Sequence, residues 1–146
     1  MFCFPRGHFN APLINVVKSC GFRGARTNTN FIIQSSDAHF LMPVTLQVYH
    51  HTFGSYMKHF LKEFNYIGLY NFVLFRGMNK NWANLAKNLF DKVADEGGVF
   101  HIWGHSWEIE EHGLWRELDT VLKYISNKND FLYLSNSECL SHSRNM

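Results

Sequence analysis

No apolar run in the 146-residue sequence approaches the ~20 residues that a membrane-spanning helix needs, so no membrane span is expected. The opening stretch, MFCFPRGHFN, lacks the basic region and long apolar core of a signal peptide. With Met1 as the true start of translation the chain is expected to be cytoplasmic; with an upstream extension its compartment stays open. Cysteine is scarce: Cys3, Cys20 and Cys139 are odd in number, far apart and in no zinc-type spacing, which argues against a disulfide framework and a structural zinc site and leaves free thiols. Neither sign of charge dominates. Fourteen Lys and Arg against 12 Asp and Glu give +2 with nine histidines neutral, without the basic stripe of a nucleic-acid-binding protein. No repeat, low-complexity tract or linker divides the chain.

What is present is apolar and aromatic surface, 46% and 16% of residues, enough for one domain over 1–146 with a sizeable core. The segment NAPLINVVKSCGF puts Leu13, Ile14 and Val17 on one helical face, begins with a capping asparagine and ends at Gly21. Helical spacing recurs in TFGSYMKHFLKEF (Phe53, Met57, Phe60, Leu61, Phe64). It recurs again in NWANLAKNLFDKVADEGG (Trp82, Leu85, Ala86, Leu89, Phe90, Val93) and in HGLWRELDTVLKYISNKN (Leu114, Trp115, Leu118, Val121, Leu122, Ile125). FRGART, LMPVTLQVY, EGGVFHIW and DFLYLS read as strands, with regular pairing of the second expected only after Pro43. NFVLFRG fits a strand or an insertion equally. Strands separated by helical crossovers predict an α/β protein with a mostly parallel sheet; about four strands are too few for a closed barrel of seven or eight.

The stretch HIWGHSWEI (101–109) is the chemically loaded one: an apolar strand is followed at once by Gly104, His105, Ser106 and Glu108. Polar residues just past the carboxyl end of a strand are where α/β sheets and barrels present catalytic groups, which makes His105 a candidate on position alone. His101 alternates with Trp103 and His105 along the strand and reads either as a second site residue or as a satisfied core histidine. Arg26, at the end of another strand, reads either as an anion-binding group or as a structural ion-pair partner.

FCFPRGHFNAPLINVVKSCGFRGART resembles the stretch of polysaccharide deacetylases (the NodB-homology type, carbohydrate esterase family four) in which a Pro-aromatic-Gly turn precedes a helix. GGVFHIWGHSWEI is similar to the late histidine motif of that family, and YLSNSE resembles its terminal strand and turn. In order and spacing the resemblance runs from about residue 2 to residue 138, leaving 139–146 as a short tail. It implies the carboxyl-terminal part of a distorted (β/α) barrel and the hydrolysis of N-acetyl groups on amino sugars. In that reaction a divalent metal, commonly zinc, polarises the carbonyl and activates water, a carboxylate is the base, and the late histidine protonates the leaving amine. By this resemblance His105 is the proton donor, Trp107 a wall of the sugar site and Glu108 a loop-orienting neighbour. Pro5, Arg6 and Gly7 form part of the groove, with Arg6 where many members carry an aromatic residue and Cys3 where some carry an arginine.

The family's Thr-Phe-Asp-Asp motif and its two histidines at i, i+4, which together supply base and metal ligands, are absent from the sequence. Replacements are not evident. His50 and His51 are neighbours that point apart, His51 and His59 are eight residues apart, and Asp37 with His39 needs further ligands. This chain alone is therefore expected to hold no metal and to be inactive by itself. Two readings stand: the later part of a deacetylase-like hydrolase completed by an amino-terminal segment, and a non-catalytic remnant or carbohydrate-binding module. An unrelated α/β binding protein is a third. The expected partner is a glycan bearing N-acetylamino sugars.

Overall fold

The computed structural model describes residues 1–33, 39–76 and 81–142. Four two-residue strands are parallel in pairs. β1 (Phe2–Cys3) pairs with β2 (Ala25–Arg26), Phe2 opposite Ala25; β3 (Leu46–Gln47) pairs with β4 (Ile102–Trp103), Gln47 opposite Trp103. Backbone bonds join the pairs: Met42 N–H donates to Ala25 O, Thr27 N–H to Met42 O and Val44 N–H to Thr29 O, and Arg26 bridges Met42 in parallel. The pairs β1-β2 and β3-β4 thus follow one another, joined through residues 42–44 just ahead of β3. The described strands are few and close no barrel.

The strands are short for local reasons. Pro43 has no N–H to give a ladder. Phe31 sits in left-handed backbone at φ 62°, a conformation unfavourable for a bulky side chain. Burial holds it there. Phe31 is fully enclosed by edge-on contacts with Tyr56, Phe60 and Phe72, its N–H donates to Thr45 O, and its carbonyl accepts from Asn71 Nδ2 at 2.8 Å.

Helix α1 (Ala11–Ser19) starts where Asn10 Oδ1 accepts the Leu13 N–H at 2.9 Å, and stops before Gly21, whose φ of 81° favours glycine. Its buried Val17, with Leu13 and Ile14, packs on Ala25 of β2 and on Phe4, which follows β1. Three helices cross from β3 to β4: α2 (Phe53–Glu63), α3 (Tyr66–Arg76) and α4 (Trp82–Glu96). Every apolar position named for α4 is buried. In α2, Phe60 is buried and Met57 half-buried as expected, with Tyr56 buried beside them, while Phe53, Leu61 and Phe64 are exposed. The ambiguous NFVLFRG belongs, through Arg76, to α3. Two asparagines fasten that helix: Asn65 Nδ2 donates to Asn30 O while its Oδ1 accepts the Gly68 N–H, and Asn71 reaches Phe31 O. After β4 come α5 (Ser106–Glu111), α6 (Trp115–Ile125) and α7 (Asn136–His142). In α6, Val121 is buried, but Trp115 and Leu122 lie on its exposed side.

Two expectations are corrected at the carboxyl end. DFLYLS is not a strand: Phe131 stacks on Phe90 at 4.3 Å, and Tyr133 donates its hydroxyl proton to Ile125 O and accepts from Lys128 N–H. The segment is thereby folded onto the end of α6, and Leu132, Tyr133 and Leu134 stay exposed. Nor is everything after residue 138 a tail. Ser135 and Glu138 form a reciprocal capping box, Ser135 N–H to Glu138 Oε2 at 2.7 Å and Glu138 N–H to Ser135 Oγ at 3.3 Å, which starts α7. Leu140 is then buried against Gly24, where a Cβ would come within 2.7 Å of both His39 O and a Leu140 methyl.

Candidate functional site

Parallel strands bring all four carboxyl ends to one end of the sheet, and the candidate residues sit there. Gly104 lets β4 run straight into α5, since a Cβ at 104 would stand 3.1 Å from Val48 Cβ and 3.3 Å from Ile109 Cδ1. His105 takes the N-cap position of α5 with extended backbone, yet its side chain makes no capping bond. Its exposed imidazole lies between two indoles, nearly parallel to Trp107 at 5.6 Å and edge-on to Trp103 at 5.3 Å. Trp107 is itself 62% exposed, a free aromatic face beside a free imidazole. The buried indole N–H of Trp103 has no hydrogen-bond partner among the described residues.

Glu108 is tied to the neighbouring strand. Gln47 Nε2 donates to Glu108 Oε2 at 3.0 Å, and Gln47 Oε1 is 2.9 Å from His51 Nε2, which must carry the proton because an amide oxygen only accepts. The carboxylate, amide and imidazole form one chain that fixes α5 over β3. Gln47 was not singled out from the sequence; a polar residue inside the apolar run LMPVTLQVY was its one signal.

Below this level, Arg26 Nη1 is 2.8 Å from His101 Nε2 and Arg26 Nη2 is 3.5 Å from Cys3 Sγ. A guanidinium only donates, so Nε2 of His101 is the acceptor and the ring proton is on Nδ1, directed at the Pro43 carbonyl. Burial first, and the adjacent guanidinium second, push the His101 imidazole down to about 4. His101 is thus the satisfied, half-buried histidine of the two readings, and Arg26 its structural partner. Thr45 completes the level: its Oγ1 accepts the His101 N–H at 2.9 Å and donates to Val99 O at 3.1 Å.

The other groove candidates lie at the opposite end of the strand order. Pro5, Arg6 and Gly7 form a 3-10 turn after β1, with Arg6 at φ 54° and Gly7 at φ 68°. Asn28 Nδ2 donates to Arg6 O at 3.4 Å, and a Cβ on Gly7 would overlap Asn28 Oδ1 at 1.8 Å, so glycine is required there. His105, Trp107 and Glu108 are brought together at the junction of β4 and α5, whereas Pro5, Arg6 and Gly7 form the turn after β1.

Among the described residues no group of three or more His, Cys, Asp or Glu side chains could hold a metal ion. His50 and His51 diverge, the first to Glu117 Oε2 at 3.3 Å and the second to Gln47. Asp37 and the His59 side chain lie outside the described residues. The described residues thus do not fit the divalent metal that a deacetylase would use. Among them, no helix is long and apolar enough to cross a membrane. In comparisons with known proteins the chain matches no family model, no curated protein and no solved structure.

Proposed function

We propose that this chain carries the proton-donor and sugar-wall portion of a polysaccharide-deacetylase-like site, and that by itself it binds N-acetylated amino-sugar chains without hydrolysing them. In this reading its parallel strands are the carboxyl-terminal part of a distorted (β/α) barrel, with the groove running from the Pro5-Arg6-Gly7 turn to His105. The observation that carries the reading is the exposed His105 imidazole at the carboxyl end of β4, nearly parallel to the exposed Trp107 at 5.6 Å. A sugar ring lying on the open part of that indole stands beside the His105 imidazole, the placement a general acid needs. Glu108, restrained by Gln47, keeps α5 and so Trp107 in place.

The metal-ligand finding favours binding alone over hydrolysis alone, because carbonyl polarisation and water activation each lower the barrier by several kcal/mol and the described residues offer no group to supply them through a metal. The test is paired. Calorimetric titration with chitin oligomers is expected to show saturable binding, and acetate release from the same mixture is expected to be nil. Adding a zinc-loaded amino-terminal segment that bears the Asp-Asp and His-x-x-x-His motifs distinguishes the two forms of the proposal. Restored acetate release that His105→Ala abolishes marks a divided hydrolase; binding without release marks a carbohydrate-binding module. No binding to any N-acetylated oligomer would sink both.

A further inference from the structure

Helix α3 is apolar on both sides, a pattern found where both sides are covered. One side is buried through Gly68, Asn71 and Phe72. The other shows Tyr66, Ile67, Tyr70, Val73 and Leu74 to solvent, each between 44% and 71% exposed, with Phe64 at the corner from α2. With an aromatic side chain presenting ~150–250 Å², these six leave on the order of 700 Å² of mostly apolar surface uncovered. The largest patch on an ordinary monomer is ~300–600 Å².

We infer that this face of α3 is the two-fold interface of a homodimer. The spacing suits a second copy, and the area suits a dimer. Residues 66, 67, 70, 73 and 74 are symmetric about 70, at −4, −3, 0, +3 and +4, so an antiparallel copy sets Tyr66 against Leu74, Ile67 against Val73 and Tyr70 against its own counterpart on the dyad. That is the self-complementarity an isologous interface requires. With Phe64 at its rim, two such faces bury at most roughly 1,400 Å², which reaches the ~1,200–2,000 Å² of stable protein interfaces. None of the five stripe residues is charged, as expected for the centre of an interface.

Analytical ultracentrifugation of the intact chain at micromolar concentration is expected to show a dimer. Tyr70→Glu, which opposes two carboxylates on the dyad, is expected to weaken it by on the order of 100-fold with unchanged far-ultraviolet circular dichroism. Because residue 70 meets itself, Tyr70→Cys is expected to give a disulfide-linked dimer under mild oxidation, well above the background from the native cysteines. Val73→Cys, which faces Ile67, is expected to give far less. This pair of variants decides the matter even where the glutamate variant misfolds. A monomer at all concentrations, a dimer indifferent to Tyr70→Glu, equal cross-linking at 70 and 73, or adsorption of a monomer to anionic vesicles through α3 would overturn the inference.

Discussion

The Arg26 guanidinium donates to Nε2 of His101 at 2.8 Å across 75 residues of sequence, and this bond can form only while the imidazole is neutral. The folded-state value is about 4 against an ordinary 6.5. Between these values the unfolded chain holds a proton that the folded chain refuses, so the contribution to stability is complete above pH 6.5 and is lost as pH falls through about 4. At ~1.4 kcal/mol per pH unit the contribution is at most about 3.5 kcal/mol. Thermal melts from pH 7 to pH 4 are expected to show a smaller decline for His101→Gln, whose amide does not titrate, than for the native chain. Parallel declines would remove His101 from the acid response.

Gln47 couples α5 to β3 through its bond to Glu108. Gln47→Ala and Glu108→Ala each leave one half of a charged, half-buried hydrogen bond without its mate. A double-mutant cycle by urea denaturation is expected to return a coupling of about 1–2 kcal/mol. Additive effects would mean that the bond does not contribute.

Asn71 and Phe31 are both fully buried, and the amide of one satisfies the carbonyl of the other. Asn71→Ala leaves that carbonyl without a partner and opens a small cavity beside Phe72, so a loss of about 2–3 kcal/mol is expected from its denaturation midpoint. A loss below the scatter of the measurement would show that α3 is held by apolar packing alone.

Sequence signals were sufficient where the structure is decided locally. α1 was legible because Asn10 and Gly21 are capping residues acting within one turn, and α4 because its apolar spacing is regular over four turns. The parallel sheet followed from the alternation of strands and helical patterns. DFLYLS misled because its apolar character suits a ladder or a surface equally, and the deciding contacts, with Phe90 and with Ile125 O, lie outside it. α3 was undecidable because a helix apolar on both sides has no period to read. At the candidate site, the position of His105 after a strand was legible, whereas its seat between Trp103 and Trp107 emerges only from the fold. Its supporting layer, Gln47 with Glu108 and Arg26 with His101, joins residues 61 and 75 apart in sequence and could not be paired without the fold.

Titration of the intact chain with chitin oligomers, followed by intrinsic tryptophan fluorescence, tests the proposed glycan site most directly. Saturable quenching is expected in the native chain and in the control Trp115→Phe, whose indole lies on the exposed side of α6. Trp107→Ala is expected to weaken binding about tenfold or more, a loss of ~1.4 kcal/mol, and His105→Ala to weaken it less. Binding that survives Trp107→Ala unchanged, or no binding in the native chain, would contradict a sugar site at the end of β4.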